Sequence, residues 1–221
     1  MPETVTEKVW TIVVAGGSSL RFGSAKQFEQ LGSVRVLDLS VSVAREASDG
    51  VIVVVPADHV DAEGVEGVEG VEAVCGGSTR SESVRNGLAA VPADATIICV
   101  HDAARPFASR LLYAAVIEAV AAGAACAIPG IEVTDTIKVI SPNSQVVSTP
   151  DRASLRAVQT PQAFRASVLR AAHAAAAEGT DDAALVEALG VSIIVVPGHA
   201  DNRKITYPHD LEWARAQVGR A

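Results

Sequence analysis

The sequence predicts an α/β domain in which a mostly parallel sheet is covered by helices on both faces. Three observations carry that expectation. Short runs rich in Val and Ile recur along the chain, helix-length stretches separate them, and 221 residues of which 49% are hydrophobic suffice for a single large core. Strands buried on both faces read as continuous apolar runs, as these do, rather than as alternating ones.

The expected strands cover residues 9–14, 51–55, 96–100, 124–129 and 191–196. Helices are expected over 37–47, 80–90, 110–122, 166–178, 182–189 and 208–218. Thr79 followed by Glu82 has the spacing of a capping box, which starts the second helix at Arg80. Val-Glu-Gly repeats over 63–73 read as a low-complexity surface loop. Residues 132–161 alternate polar with β-branched types around the turn Ser141-Pro142-Asn143-Ser144, the pattern of a β-hairpin arm projecting from one domain that spans 1–221. Such an arm exposes Val133, Ile137, Val139, Val146 and Val147, so it is expected to pair with a second subunit as a homodimer.

Composition excludes several partners. A net charge of -8 repels nucleic acid and anionic membrane surfaces, so neither is expected as a ligand. There is no apolar stretch of signal-peptide or transmembrane length, and the expected location is the cytoplasm. Cys75, Cys99 and Cys126 lack metal or redox spacing and read as buried thiols. Of 18 basic residues only Lys8, Lys26, Lys138 and Lys204 are lysines, and the last three fall in segments of interest.

In a doubly wound sheet, ligands bind where the strands end at their carboxyl side. The first strand runs into Ala15-Gly16-Gly17-Ser18-Ser19-Leu20-Arg21-Phe22-Gly23-Ser24-Ala25-Lys26. Small residues let backbone amides approach a phosphate, and Arg21 and Lys26 add charge; a plain strand-to-helix turn with two solvated cations is the bland alternative. This spacing matches neither a P-loop nor Gly-x-Gly-x-x-Gly. Gly76 to Ser83 offers backbone groups and a hydroxyl to a base edge, though a capped helix start explains it about as well. His101-Asp102-Ala103-Ala104-Arg105-Pro106 places a carboxylate where Mg²⁺ or a ribose hydroxyl would bind and an arginine able to fork onto phosphate; an Asp–Arg pair shaping a turn is the alternative. His101 reads as structural. Late in the chain, Lys204 follows a turn containing Asp201 and Asn202 and is the best ligand contact there, while His173 and His209 read as surface helix residues.

Taken together, in this order and at these intervals, these four segments resemble the 2-C-methyl-D-erythritol 4-phosphate cytidylyltransferases. The resemblance spans nearly the whole chain and implies a Rossmann-like nucleotidyltransferase fold. By that resemblance, Ala15, Gly16 and Gly17 contact the nucleotide, Arg21 and Lys26 hold its phosphates, and Gly77 and Ser83 select cytosine. Asp102 and Ala103 lie at the ribose and metal end, with Asp102 the metal contact and Mg²⁺ or another divalent cation the cofactor. Thr136, Arg152, Thr160, Thr180 and Lys204 surround the acceptor, with Arg105 nearby, and Arg152 enters the neighbouring subunit's site. The chain departs from the pattern in a longer first loop, in Ala25 where proline is usual, and in Ser78 at an often acidic position.

The resemblance implies attack of the acceptor phosphate on the α-phosphorus of CTP, with pyrophosphate leaving. Arg21, Lys26, Arg152 and Lys204 are then the catalytic cations, because two phosphate anions meet only where positive charge converges. Two other readings keep the fold: ribitol-5-phosphate as the acceptor, and a noncatalytic nucleotide-binding module.

Overall fold

The computed structural model describes residues 6–16, 25–61 and 71–219. In chain order the elements are β1 (Val9–Val14), β2 (Gln30–Leu31), β3 (Val34–Arg35), α1 (Val36–Ala47), β4 (Gly50–Val55) and β5 (Val71–Cys75). They continue with α2 (Arg80–Ala90), β6 (Ile97–Asp102), α3 (Arg110–Ala121), β7 (Cys126–Glu132), β8 (Val139–Ile140) and β9 (Val146–Ser148). The last are β10 (Arg156–Val158), β11 (Gln162–Arg165), α4 (Ala166–Ala174), α5 (Asp182–Glu187), β12 (Ile193–Pro197) and α6 (Pro208–Val218).

One sheet organises the molecule, in the order β10-β7-β11-β6-β1-β4-β5, with β12 paired to β7. The β6-β1-β4-β5 half is parallel. β11 runs antiparallel to both β6 and β7, and β10 antiparallel to β7, so the sheet is mixed rather than purely parallel. The sequence hid this because β10 and β11 are only three and four residues long, and β10 lies inside the stretch whose alternation suggested an arm.

Strand alternation divides the core into two layers. On one face Val13, Val51, Val53, Ile97 and Cys99 pack against α1 and α3 through Leu37, Tyr113, Val116 and Val120. On the other, Ile12, Ile52, Val54, Ile98 and Val100 meet Val84 of α2, Leu169 of α4 and Val186 of α5. Every residue of β4 is buried, and truncating Ile52 to alanine would cost about 2–5 kcal/mol of transfer and cavity energy. Gly87 sets how closely α2 lies on the sheet, since a Cβ there would stand 2.7 Å from Ile12 and 2.9 Å from Val54.

The pairing registers align the strand ends. Val14 lies beside Val54 and Asp102, and Val55 beside Cys75. The loops that begin at Ala15, Gly76 and Ala103 therefore open on one edge of the sheet.

Several expectations change. Residues 71–73, read as loop, begin edge strand β5; Val71 and Ala73 are only partly buried, and Glu72 between them dilutes the apolar signal. Residues 62–70 lie outside the described residues. α4 ends at Ala174 and α5 at Glu187, both short of the expected bounds. Cys75 is exposed, because it sits where β5 leaves the sheet; Cys99 and Cys126 are buried. His173 is buried rather than exposed, turned from α4 toward Asp182 of α5. Within 132–161, β7 and β10 belong to the main sheet, and β8 with β9 form a separate two-stranded hairpin. Ile140, Val146 and Val147 on that hairpin are all at least 60% exposed.

Candidate active site

Asp102 ends β6 and carries the electrostatics of the site. Its Oδ2 accepts from Lys204 Nζ at 2.6 Å, and its Oδ1 accepts from Nε and Nη2 of Arg80, each at 3.3 Å. Burial alone would raise its pKa, but Arg80 and Lys204, with Arg105 adding, hold the carboxyl well below the usual carboxylate range. Arg80 is the first residue of α2, so the helix start that Thr79 caps by accepting from the Glu82 amide at 3.0 Å delivers this guanidinium to the site. The other end of the same guanidinium, Nη1, donates to Asp182 Oδ2 at 2.8 Å.

His101 holds the strand end in place. Its Nε2 donates to the Arg105 carbonyl at 3.2 Å, and its Nδ1 accepts from the Thr160 hydroxyl at 3.1 Å, while Thr160 Oγ1 in turn accepts from the Asp102 amide at 3.0 Å. That pattern is the neutral imidazole. Burial, opposed by Asp102 and reinforced by Arg105, pushes its pKa down to about 4. Both Thr160 and His101 are thus engaged in fixing Asp102 from beneath.

The segment bearing Lys204 is strapped to the sheet. Arg105 Nη1 donates to the Asn202 carbonyl at 2.7 Å and Nη2 to the Val158 carbonyl at 3.4 Å, and the Asn202 side chain donates to the Thr160 carbonyl at 2.9 Å. Gln159 closes the turn by donating to the His199 carbonyl at 2.8 Å and accepting from the His199 amide at 3.1 Å. Arg105 spends its fork on backbone carbonyls, and its burial lowers its pKa; its contribution to ligands in this arrangement is charge at a distance.

Across from this half, glycines bring two loops into backbone contact. A Cβ on Gly76 would fall 3.3 Å from the Gly16 Cα and 3.2 Å from Ser83 Oγ. Ser83 Oγ accepts from the Gly77 amide at 3.1 Å and donates to the Thr79 carbonyl at 2.9 Å. Glu82 accepts from both the amide and the hydroxyl of Ser78 at 2.6 Å. Buried Gln27 donates to the Ala15 carbonyl at 2.8 Å, which ties the short helical turn at Lys26 to the end of β1. Ala15 and Ala103 are buried and keep both loop starts slim. Gly17 and Arg21 lie outside the described residues.

Of the expected acceptor residues, Thr136 and Arg152 lie on the arm and Thr180 lies just ahead of α5. Thr136 and Arg152 are exposed in the segment around the hairpin, where Arg152 Nη1 donates to the Thr134 carbonyl at 2.6 Å; the structure brings neither to Asp102 within one chain. Thr180 is exposed just before Asp181, the residue that caps α5.

The family model for 2-C-methyl-D-erythritol 4-phosphate cytidylyltransferase matches residues 9–220. The chain belongs to that family. It is 43% identical to the 2-C-methyl-D-erythritol 4-phosphate cytidylyltransferase of Rhodococcus jostii (strain RHA1), over 95% of each chain. It is 46% identical to a bifunctional enzyme IspD/IspF of Anaeromyxobacter dehalogenans (strain 2CP-C) over 95% of this chain, but spans only 57% of that relative's length. A crystal structure of the cytidylyltransferase from Thermus thermophilus superposes with a TM-score of 0.81 at 37% identity, covering 98% of this chain and all of that one. The Rossmann-like expectation holds, with the mixed sheet described above.

For this cytidylyltransferase-family chain, sequence reasoning missed Arg80, Asp182, Gln159 and Asn202. Arg80 was visible as the first residue of a capped helix following Gly76 and Gly77, but its partners lie 22 and 102 residues away. No local pattern announces such partners. Gln159 and Asn202 are uncharged and resemble ordinary turn residues until the two loops are seen to meet.

Proposed function

We infer that the protein transfers CMP from CTP to 2-C-methyl-D-erythritol 4-phosphate, releasing pyrophosphate, as a step in isoprenoid precursor synthesis. Family membership supports the reaction, and one observation carries it in the structure: Asp102, Lys204 and Arg80 converge at the carboxyl end of β6, next to β1, whose following loop holds the Gly16–Gly76 contact.

The work of the chain is to bring two phosphate anions together, a task of positioning and charge neutralisation. The loop after β1, ending at Lys26, would hold the triphosphate, with Arg21 as a second cation. Gly77 and Ser83 would read the base, and Ala15, Gly16 and Gly17 would line its approach. Lys204 would neutralise the acceptor phosphate so that its oxygen meets the α-phosphorus in line, with Thr180 as a further acceptor contact. Thr160, its hydroxyl engaged by His101 and the Asp102 amide, would serve the acceptor side by holding Asp102. The attacking oxygen is already anionic, so no general base is needed and neutral, buried His101 has no proton to move.

Mg²⁺ fits this donor set. Among the described residues there is no group of three or more His, Cys, Asp or Glu side chains placed to hold a metal, so Asp102 would offer one carboxylate and the substrate phosphates and water the rest, as Mg²⁺ prefers. When bound, the ion neutralises charge on the triphosphate.

The exposed hairpin supports a homodimer in which the arm of one subunit carries Arg152, and with it Thr136, to the acceptor side of the other's site. The net charge of -8 supports a protein that binds neither nucleic acid nor membranes, and no described helix is long and apolar enough to cross a membrane. The cytoplasm is the proposed location.

Pyrophosphate release measured with CTP, Mg²⁺ and methylerythritol phosphate, each omitted in turn, tests the reading. Release that depends on all three is expected. Release with ribitol 5-phosphate but not methylerythritol phosphate would replace the acceptor, and CTP binding without release under any condition would make this a binding module.

A further inference from the structure

The two oxygens of Asp102 are held very differently. Lys204, on Oδ2, is a flexible side chain that is 40% exposed and reaches in from a loop. Arg80, on Oδ1, is itself clamped: its side chain is 25% exposed, and its Nη1 is fixed by Asp182, which is 1% exposed. Asp182 in turn accepts from His173 Nε2 at 2.9 Å on its other oxygen, so both of its oxygens are engaged inside the protein. The neighbouring Asp181 accepts from Gln162 of β11 at 2.7 Å, and Gly179 donates to Ser81 of α2 at 3.3 Å. The start of α5 is therefore bolted to the sheet, to α4 and to α2 at the point where Arg80 leaves α2.

We propose that Arg80 is a positioning residue for nucleotide transfer: anchored by Asp182, it pins one oxygen of Asp102 and leaves the oxygen facing Lys204 as the one that exchanges partners when ligands bind. The asymmetry follows from the chemistry of the groups. A guanidinium forks across two carboxylates in a fixed plane, whereas an ammonium is a point charge on a mobile stem that releases its partner readily. The arrangement also joins the two halves of the site. The same first turn of α2 carries Ser83 of the base loop, and Asp182 lies two residues beyond Thr180 on the acceptor side, so a shift on either side is transmitted to Asp102 through one side chain.

The proposal rests on the nucleotide site inferred above, and its test separates the two. The affinity for CTP with Mg²⁺ is measured by titration calorimetry for the wild type, R80Q, D102N and the R80Q/D102N double variant. Arg80→Gln is expected to weaken CTP binding by about tenfold or more when Asp102 is present and by less than about twofold in the D102N background, because a residue that acts through another loses its effect when the other is gone. Equal losses in both backgrounds would show a merely structural arginine and overturn the proposal, while failure of the wild type to bind CTP would overturn the functional reading instead. If R80Q does not fold, R80K and D182N serve in its place. Lysine keeps the charge but not the fork, and Asp182→Asn loosens the anchor, so each is expected to reproduce the loss with Asp102 present and not without it; recovery of wild-type affinity in R80K would exclude the fork.

Discussion

Lys204 and Asp102 form a 2.6 Å ion pair between residues 102 positions apart, at the mouth of a sheet whose chain is acidic overall. The pair places a cation at the carboxyl end of β6 without leaving a charge unpaired before ligands arrive. Lys204→Ala is expected to lower kcat by about a hundredfold, as loss of one preorganised donor does elsewhere. The melting temperature should stay near that of the wild type, because Asp102 keeps Arg80 and the lost side chain is 40% exposed. Steady-state kinetics alongside thermal unfolding decides; unchanged kcat would remove Lys204 from the acceptor side.

Lys26 stands on a different kind of support. Its neighbour Gln27 is buried and anchors the turn to Ala15, so the lysine's backbone is tied to the end of β1. Lys26→Ala is expected to reduce turnover by about two orders of magnitude or more, with pyrophosphate release as the readout. Gln27→Ala should act in the same direction through the backbone, and more weakly. Near-normal turnover in the Lys26 variant would sever it from the triphosphate.

Much of this was legible in the chain because the signals are local. Continuous apolar runs marked β1, β4 and β6, the glycines and the capped Thr79 located the loops that meet at Gly16 and Gly76, and Asp102 stood out as a carboxylate just past a central strand. What stayed hidden depends on long-range contacts. Arg105 has the sequence context of a phosphate ligand, yet the fold turns its fork onto the carbonyls of Asn202 and Val158. His173 has the composition of a solvated helix residue until α5 folds over it and presents Asp182. The antiparallel β11 is too short and too mixed in character to outweigh the alternating segment before it.

His101 makes stability depend on pH. Its folded pKa of about 4 lies below the ordinary 6.5, so between these values the unfolded chain takes up a proton that the folded chain refuses. The stability it contributes is present above pH 6.5 and is lost as the pH falls toward 4, up to about 3 kcal/mol over that window. Denaturant unfolding of the wild type across pH 7 to 4 should therefore show a steeper decline than that of His101→Asn, whose starting stability is lower. Parallel declines would assign the acid sensitivity to other groups. In the folded protein the imidazole is neutral well above pH 4, so His101 should add no ionisation to the activity profile near neutral pH.

The arm makes the strongest demand on assembly. Ile140, Val146 and Val147 are exposed on a hairpin with only two short strands, and a two-stranded hairpin has little stability of its own in water. In the proposed homodimer, Val147→Asp is expected to shift sedimentation from dimer to monomer and to lower activity with it. A mixing experiment then asks whether Arg152 acts across the interface. Arg152→Ala and Lys26→Ala chains, each nearly inactive alone, would recombine into heterodimers having one site with both residues intact and one with neither. Random reassortment makes about half of all dimers hybrid, so about a quarter of wild-type activity should return. No recovery from a mixture shown to contain hybrids would mean that Arg152 serves the site of its own chain, and the hairpin would then be a dimer contact with no part in binding the acceptor.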